Sequence, residues 1–94
     1  MKVNLDTCIV RSDEPITADA GSELIMLSVA QGRYYGFNEI AAAIWRRIEE
    51  PTTVGALCGR LQREFDVSAA QCEGDVIELL QTLQEKGLLR VVAR

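Results

Sequence analysis

The hydrophobic pattern of the chain changes once, near residue 38, and this change constrains the fold more than any other feature. Before it, apolar residues form compact runs of strand length, and after it they recur at helical spacing. The change falls inside GRYYGFNEIAAAIW, where two adjacent tyrosines precede an asparagine and a helix-like pattern. The pattern therefore predicts an α+β fold in which a small sheet is followed by helices.

Short extended segments before residue 38 predict an antiparallel meander of two or three strands. Residues 15–20 form a short candidate strand, and 23–30 form a compact apolar run of strand length. Gln31-Gly32 predicts a tight hairpin turn, with 33–37 as the returning strand. Because residues 24–27 are all apolar, we expect both faces of the preceding strand to be covered.

Three helices are expected after residue 38. Asn38 is a good N-cap for a first helix over about 39–49, and Pro51 ends it. A second helix follows Thr52-Thr53. A third runs over about 69–86; Ser68 and Gln71, three residues apart, form a capping box at its start, and Gly87 follows its end.

The length of 94 residues suits one domain with one modest core, and we treat 1–94 as a single domain. Two helices joined by a short connection, with a small sheet attached, predict a winged helix-turn-helix arrangement. Residues 1–14 are left open between a flexible segment and a short extra strand. Residues 88–92 are left open between a last strand and an extended tail.

The charge distribution argues against a nucleic-acid partner. The net charge is −4, and the third helix carries Glu73, Asp75, Glu78 and Glu85 against Lys86 alone, so it would repel phosphate. A winged-helix transcription regulator remains the alternative function; its DNA binding would collapse with added salt. No apolar run approaches the roughly 20 residues that span a bilayer, and no signal peptide is evident. We therefore expect a cytoplasmic protein without a membrane partner.

Catalytic and metal-binding constellations are not evident in the sequence. The chain has no histidine, and Cys8, Cys58 and Cys72 form no C-x-x-C pair. A nucleophilic cysteine would lack its usual base, and a zinc site would need unusual ligands. We expect reduced thiols, with Cys72 packed in a helix face. The prediction is a protein that is not an enzyme and has no catalytic residues, no metal site and no cofactor.

The tyrosine strand remains as a candidate interaction site. It follows a turn and precedes a helix, so it can lie at a sheet edge, where an extended peptide can pair with its free backbone groups. By alternation Tyr35 shares a face with the core-directed Phe37, whereas Tyr34 shares the opposite face with Gly36. A peptide-binding module is therefore favoured; a purely structural dimerisation domain, which would bind no short peptide, is also considered.

Three segments together resemble the PqqD-like family: GRYYGFNEIAAAIW, TTVGALCGRLQREFDVS and DVIELLQTLQEKGLL. Members of this family are RiPP recognition elements, small domains that bind the leader segment of a ribosomally made precursor peptide. The resemblance covers residues 20–90 and implies a three-stranded antiparallel sheet followed by three helices. It also implies that a leader adds as a strand to the third strand, in a groove beside the third helix. The G-R-Y-Y-G-F-N form is most similar to stand-alone leader-binding proteins of lasso peptide clusters.

The resemblance also implies a set of peptide-binding positions. Those on the third strand and third helix are Arg33, Tyr34, Tyr35, Gly36, Asp75, Val76, Leu79 and Leu83. Core packing is the competing interpretation for Val76 and Leu83, and a solvated helix position is the one for Asp75. The implied function is a non-catalytic adaptor that delivers a precursor leader peptide to a transglutaminase-like leader protease, with the cyclase as a further candidate partner.

Overall fold

The computed structural model describes residues 3–92, which form two small antiparallel sheets and three helices. In chain order the elements are β1 (Cys8–Arg11), β2 (Ile16–Ala20), β3 (Glu23–Ser28), β4 (Arg33–Phe37), α1 (Glu39–Arg47), β5 (Thr52–Thr53), α2 (Val54–Glu64), α3 (Ala69–Glu85) and β6 (Leu89–Val91). The predicted α+β class is confirmed. Within these residues no helix combines the length and the apolar character needed to cross a bilayer.

The meander predicted before residue 38 is present as the sheet β2-β3-β4. Its register places Leu24 opposite Phe37 and Met26 opposite Tyr35. The turn between β3 and β4 is longer than the predicted Gln31-Gly32 pair and spans residues 29–32. Gly32 has a φ of 63° and donates its N–H to the Ser28 carbonyl at 2.8 Å, a conformation that glycine adopts without steric cost.

The second sheet, β5-β1-β6, was not predicted; only strands within residues 1–14 and 88–92 were open alternatives in the sequence. Residues 1–14 contribute the extra strand β1, and residues 88–92 contribute β6. Ile9, at the centre of β1, faces Thr52 on one side and Val91 on the other. These pairings join the two ends of the described chain. The paired strands are far apart in sequence, so no local turn signal predicts these pairings.

The helix ends follow the predicted caps with one difference. Asn38 Oδ1 accepts the Ala41 N–H at 2.9 Å, and Ser68 Oγ accepts the Gln71 N–H at 3.2 Å. The Gln71 side chain does not complete a capping box, because it donates to Asp75 instead. At the other end of α3, Gly87 has a φ of 74° and donates to Gln84 while Leu88 donates to Leu83, the Schellman pattern.

One buried cluster includes residues from both sheets and all three helices. Phe37 and Trp45 meet edge to face, with ring centroids 6.0 Å apart and planes at 89°. The guanidinium of Arg11 lies 5.3 Å from the Trp45 ring centroid and donates to the Trp45 carbonyl at 3.1 Å. The indole of Trp45 therefore joins β4, α1 and β1 in one packing unit.

The outer face of the β2-β3-β4 sheet differs from the expectation that β3 is covered on both faces. Leu24 and Met26 are buried on the face that packs on α1. Ile25 points to the other face, with 49% of its surface exposed. It pairs with Ala18 and Gly36, which are also exposed, so no described element covers this face. The expectation was wrong because an all-apolar run does not by itself report a second covering layer.

The three cysteines are free thiols, and two of them are buried between α2 and α3. Cys72 is packed in a helix face, as expected, and its sulfur lies 3.8 Å from the Cys58 carbonyl oxygen. Burial is the main cause that raises the pKa of Cys58 to about 11, and the neighbouring Cys72 adds to the rise. Burial also raises the pKa of Cys72. Both thiols are therefore poor nucleophiles at neutral pH.

We predict that Cys58 resists alkylation in the folded protein. A pKa of about 11 instead of 9.0 lowers its thiolate fraction about a hundredfold at pH 8, and burial adds a steric barrier. Brief iodoacetamide treatment followed by peptide mapping should find half-buried Cys8 labelled before Cys58 and Cys72. In guanidinium all three should react. Equal labelling of Cys58 in native and denatured protein would contradict the burial described above.

Candidate functional site

β4 is an edge strand of the meander. It pairs with β3 on one side, and none of residues 3–92 pairs with its other side. Its residues alternate as predicted: Tyr34 is 74% exposed on the outer face, Tyr35 is half-buried, and Phe37 is buried. The backbone groups along the free edge are therefore available to an extended peptide.

A groove of about 260 Å³ lies between α1 and α3, beyond the end of β4. Its lining is apolar except for one amide and one carboxylate: Asn38, Ile40, Ala41, Ile44, Asp75 and Leu79. Ile40 and Asp75 also line a smaller apolar depression against Phe65, Val67 and Val76, with Leu61 and Cys72. A chain that ran along β4 could seat apolar side chains here.

A stripe of α3 residues faces this region. Asp75, Leu79, Thr82 and Lys86 follow each other at intervals of four, three and four residues. Such intervals place them within about 60° of one another around a helix. Leu79 is half-buried and packs against the core, whereas Asp75 is exposed and accepts two hydrogen bonds from Gln71 Nε2, at 3.1 and 3.0 Å. The stripe thus has an apolar centre and polar ends.

The C-terminal end of α3 is joined to the start of β4. The Tyr35 hydroxyl donates to Gln31 Oε1 at 2.6 Å, and Gln31 Nε2 donates to the Lys86 carbonyl. The Lys86 ammonium lies 5.4 Å from the Tyr35 ring centroid, within cation–π range. Since Asp75 lies beyond the other end of β4, α3 extends beside the whole length of the free edge.

A carboxylate from the segment before β2 anchors the turn that carries Gln31. Glu14 accepts the Ser28 hydroxyl at 3.2 Å and the Ala30 N–H at 2.6 Å. Ser28 is fully buried, and its hydroxyl oxygen also accepts the Gln31 N–H at 3.3 Å. The turn that positions Gln31 against Lys86 is therefore fixed by side chains rather than by a tight hairpin sequence.

Six of the eight predicted site residues lie at the edge strand or in the groove, and the other two lie in the core. Arg33, Tyr34, Tyr35 and Gly36 lie on the edge strand, and Asp75 and Leu79 line the groove. Val76 and Leu83 are core residues, 1% and 3% exposed, and of the two only Val76 lines a depression, the smaller one beside the groove. Around α3 they lie next to the stripe that contains Leu79. The apolar pattern of the sequence does not distinguish a core position from a groove position.

Three residues of this region were missed in the sequence: Gln31, Ile40 and Lys86. Lys86 continues the stripe of Asp75 and Leu79 at helical spacing, so the period could have found it. Ile40 is part of the apolar pattern of α1, yet it is 38% exposed at the mouth of the groove. No local sequence pattern predicts the hydrogen bonds that join Gln31 to Lys86 and Tyr35.

A second depression of similar size, about 250 Å³, lies at the C-terminal end of α1. It is polar and is lined by Arg46, Arg47, Glu49, Glu50, Pro51, Thr52 and Arg60. Arg46 pairs with Asp19 at 2.8 Å, and Arg47 pairs with Glu64 at 2.6 Å. Their charges are thus already matched within the fold, and this depression has no apolar floor that would hold a ligand.

An open strand edge beside an apolar groove is the arrangement of domains that bind extended peptides by strand addition. The family model described as Coenzyme PQQ synthesis protein D (PqqD) matches residues 23–89, which contain β3, β4 and all three helices. The chain belongs to the PqqD family.

Relatives and solved structures agree with this assignment. Proteins named PqqA binding protein are 40% identical in Xanthomonas oryzae pv. oryzae (strain PXO99A) and 38% identical in Xanthomonas euvesicatoria pv. vesicatoria (strain 85-10), each over 67% of this chain and 68% of the relative. The structure "TbiB1 in Complex with the TbiA(beta) Leader Peptide" has a TM-score of 0.79 at 26% identity and covers 90% of this chain and 99% of that chain. "Lasso peptide synthetase B1 complexed with the leader peptide" shares the fold, with a TM-score of 0.74 at 23% identity over 87% and 96% of the two chains.

We predict that Asn38→Ala destabilises the protein by about 0.5–2 kcal/mol, because α1 loses the oxygen that caps it where β4 ends. Asn38→Asp keeps an acceptor at the same place and should stay close to the parent. Urea unfolding followed by the fluorescence of Trp45, the single tryptophan, measures the change. Identical unfolding midpoints for parent and Asn38→Ala would show that the cap contributes nothing.

Proposed function

We propose that this chain is a non-catalytic adaptor that binds the leader segment of a ribosomally made precursor peptide and delivers it to a modifying enzyme. The observation that carries the proposal is the unpaired edge of β4 beside the groove lined by Asp75 and Leu79. The names of the relatives support it, since PqqA binding protein and the leader-peptide complexes all describe peptide-binding proteins.

Lasso peptide biosynthesis is the proposed pathway. The structure described as a lasso peptide synthetase B1 complex supports it, and the TbiB1 complex matches 90% of this chain and 99% of that chain, more of this chain than the family model does. The curated PqqA binding relatives match a shorter stretch at higher identity. A binding role is common to the names of both groups, so the proposed adaptor function does not depend on the choice of pathway. A transglutaminase-like leader protease, and the cyclase as a further candidate, are the proposed enzyme partners.

The proposed complex adds a leader strand to the free edge of β4, along Arg33–Gly36. Main-chain hydrogen bonds would supply affinity with little dependence on sequence. Side chains on the inner face of the added strand would meet Tyr35 and Leu79, and those beyond Phe37 would enter the groove. Choice of leader would then come from the side chains beside the added strand, because main-chain pairing does not read the sequence.

An adaptor of this kind acts through concentration and alignment rather than chemistry. Holding the leader raises the local concentration of the attached precursor at the enzyme, and fixes which residues reach its active site. We propose that the chain acts as one domain and works in the cytoplasm, where a ribosomal precursor is made. The connection of α2 and α3 by residues 65–68 supports a winged helix-turn-helix arrangement of this domain.

A DNA-binding function is disfavoured by the surface of α3. Asp75, Glu78 and Glu85 are exposed, and they would approach the phosphate backbone if this helix entered a groove of DNA. The side of α3 that carries Val76, Leu80 and Leu83 has no carboxylate, but it is buried. The same helix therefore favours a peptide partner over a nucleic acid.

Strand addition predicts protection of amide hydrogens along β4. With a synthetic leader peptide that the protein binds, at ten times its Kd, the outward amides among residues 33–37 should exchange about tenfold more slowly. The amides of β2, the opposite edge of the same sheet, serve as the internal control and should not change. Protection of β2 instead of β4, measured by NMR, would move the site to the other edge.

Leu79→Ala should weaken leader binding by about 1–3 kcal/mol, because Leu79 lines the groove and its truncation removes an apolar anchor. Ile77→Ala is the matched control: Ile77 is also half-buried on α3 and packs on the core, but it lies on the opposite side of the helix from Leu79. Calorimetric titration compares the two variants, after circular dichroism shows that both are folded. Equal losses for both would assign the effect to stability rather than to a contact.

A further inference from the structure

The two ends of the α3 stripe carry opposite charges. Asp75 lies at the end near the start of α1, and Lys86 lies at the end near the start of β4. Between them the stripe presents Leu79 and Thr82. The free edge of β4 therefore runs beside a surface that is acidic at one end, apolar in the middle and basic at the other end.

Both charged groups are positioned by contacts within the fold. The Asp75 carboxylate accepts two hydrogen bonds from Gln71 Nε2 and keeps its remaining lone pairs free. The Lys86 ammonium rests over the Tyr35 ring, a contact that leaves its donors free to meet an acceptor. Each group is thus available to an added strand without first being rearranged.

Neighbouring charges strengthen this polarity. Arg33, the first residue of β4, is exposed at the Lys86 end, and Glu39, the first residue of α1, is exposed at the Asp75 end. Glu78 and Glu85 also lie on α3, but helical spacing turns them to the side of the stripe that faces away from the core. They therefore do not point toward the free edge of β4 as Asp75 does.

We propose that this polarity selects the direction and register of the bound leader, an inference that rests on the proposed function. An added strand that continues the antiparallel pattern of the sheet begins at the Asp75 end and finishes at the Lys86 end. Such a leader carries a basic residue first and an acidic residue later. A strand with the reverse order places like charges together at both ends.

The helix geometry sets the spacing of the two charges. Asp75 and Lys86 are eleven positions apart, which corresponds to about 16 Å along a helix. A strand rises about 3.3 Å per residue, so about five residues cover this distance. Because alternate residues share a face, the two charged leader residues should be four or six positions apart, with an apolar residue between them for Leu79.

Selection from a display library of random 12-residue peptides tests the inference. The parent protein should enrich peptides with Lys or Arg four or six positions before Asp or Glu. The double variant Asp75→Lys/Lys86→Glu should enrich the inverted order. The control Glu73→Lys/Arg63→Glu reverses one charge of each sign away from the stripe and keeps the same net charge, and it should select as the parent does.

Titration with one enriched peptide and its charge-swapped partner supplies the second measurement. The swapped peptide should bind the parent about tenfold more weakly, and the difference should shrink with added salt. If the double variant does not fold, Asp75→Asn and Lys86→Gln take its place. Each should reduce the discrimination between the two peptides.

The outcomes separate the inference from the function beneath it. Enriched peptides without a charge order, or the same order in parent and double variant, would overturn the inference and leave leader binding intact. Failure of the parent to enrich any peptide would count against peptide binding itself, and the inference would fall with it.

Discussion

The edge-to-face contact between Phe37 and Trp45 is the interaction on which the arrangement of the site depends. Phe37 is the last residue of β4, and α1 begins two residues later, so the packing of these rings fixes how the strand meets the helix. Arg11 covers the same indole and donates to its backbone carbonyl, which brings β1 into the unit. With the end of β4 held from within the core, its outer edge is left facing the groove between α1 and α3.

A set of side-chain hydrogen bonds fixes the opposite end of β4. Glu14 fixes the turn before the strand, the turn presents Gln31, and Gln31 contacts both Tyr35 and Lys86. An edge held at both ends is already in the conformation that an added strand needs. Binding a flexible leader then costs ordering entropy mainly on the side of the peptide, because the protein has little left to order.

The parts of the fold that were predicted from the sequence are those with local signals. The meander, the three helices and the cap at Asn38 follow from period, turn residues and capping chemistry within a few positions. The second sheet and the hydrogen bonds of Glu14 depend on partners distant in the chain, and no local sequence pattern predicts them. The sequence also does not separate the core residues of α3 from those that line the groove. Val76 and Leu79 belong to one apolar pattern, and only the packing of α1 shows which of them lines the groove.

A site that aligns a precursor for an enzyme must fix the register of the leader strand against β4. Main-chain pairing alone accepts a strand in any register, and a slip of one residue turns every side chain to the other face. A slip of two restores the faces but moves the leader by about 7 Å, enough to present a different residue to an enzyme. An apolar contact at Leu79 limits the slip only if the leader has one matching residue. In the proposed complex, opposite charges at Asp75 and Lys86 would remove the remaining ambiguity, because the leader could not meet both charges after a shift. In the proposed complex the edge of β4 would thus supply the binding, and the α3 stripe would determine where along the edge the leader rests.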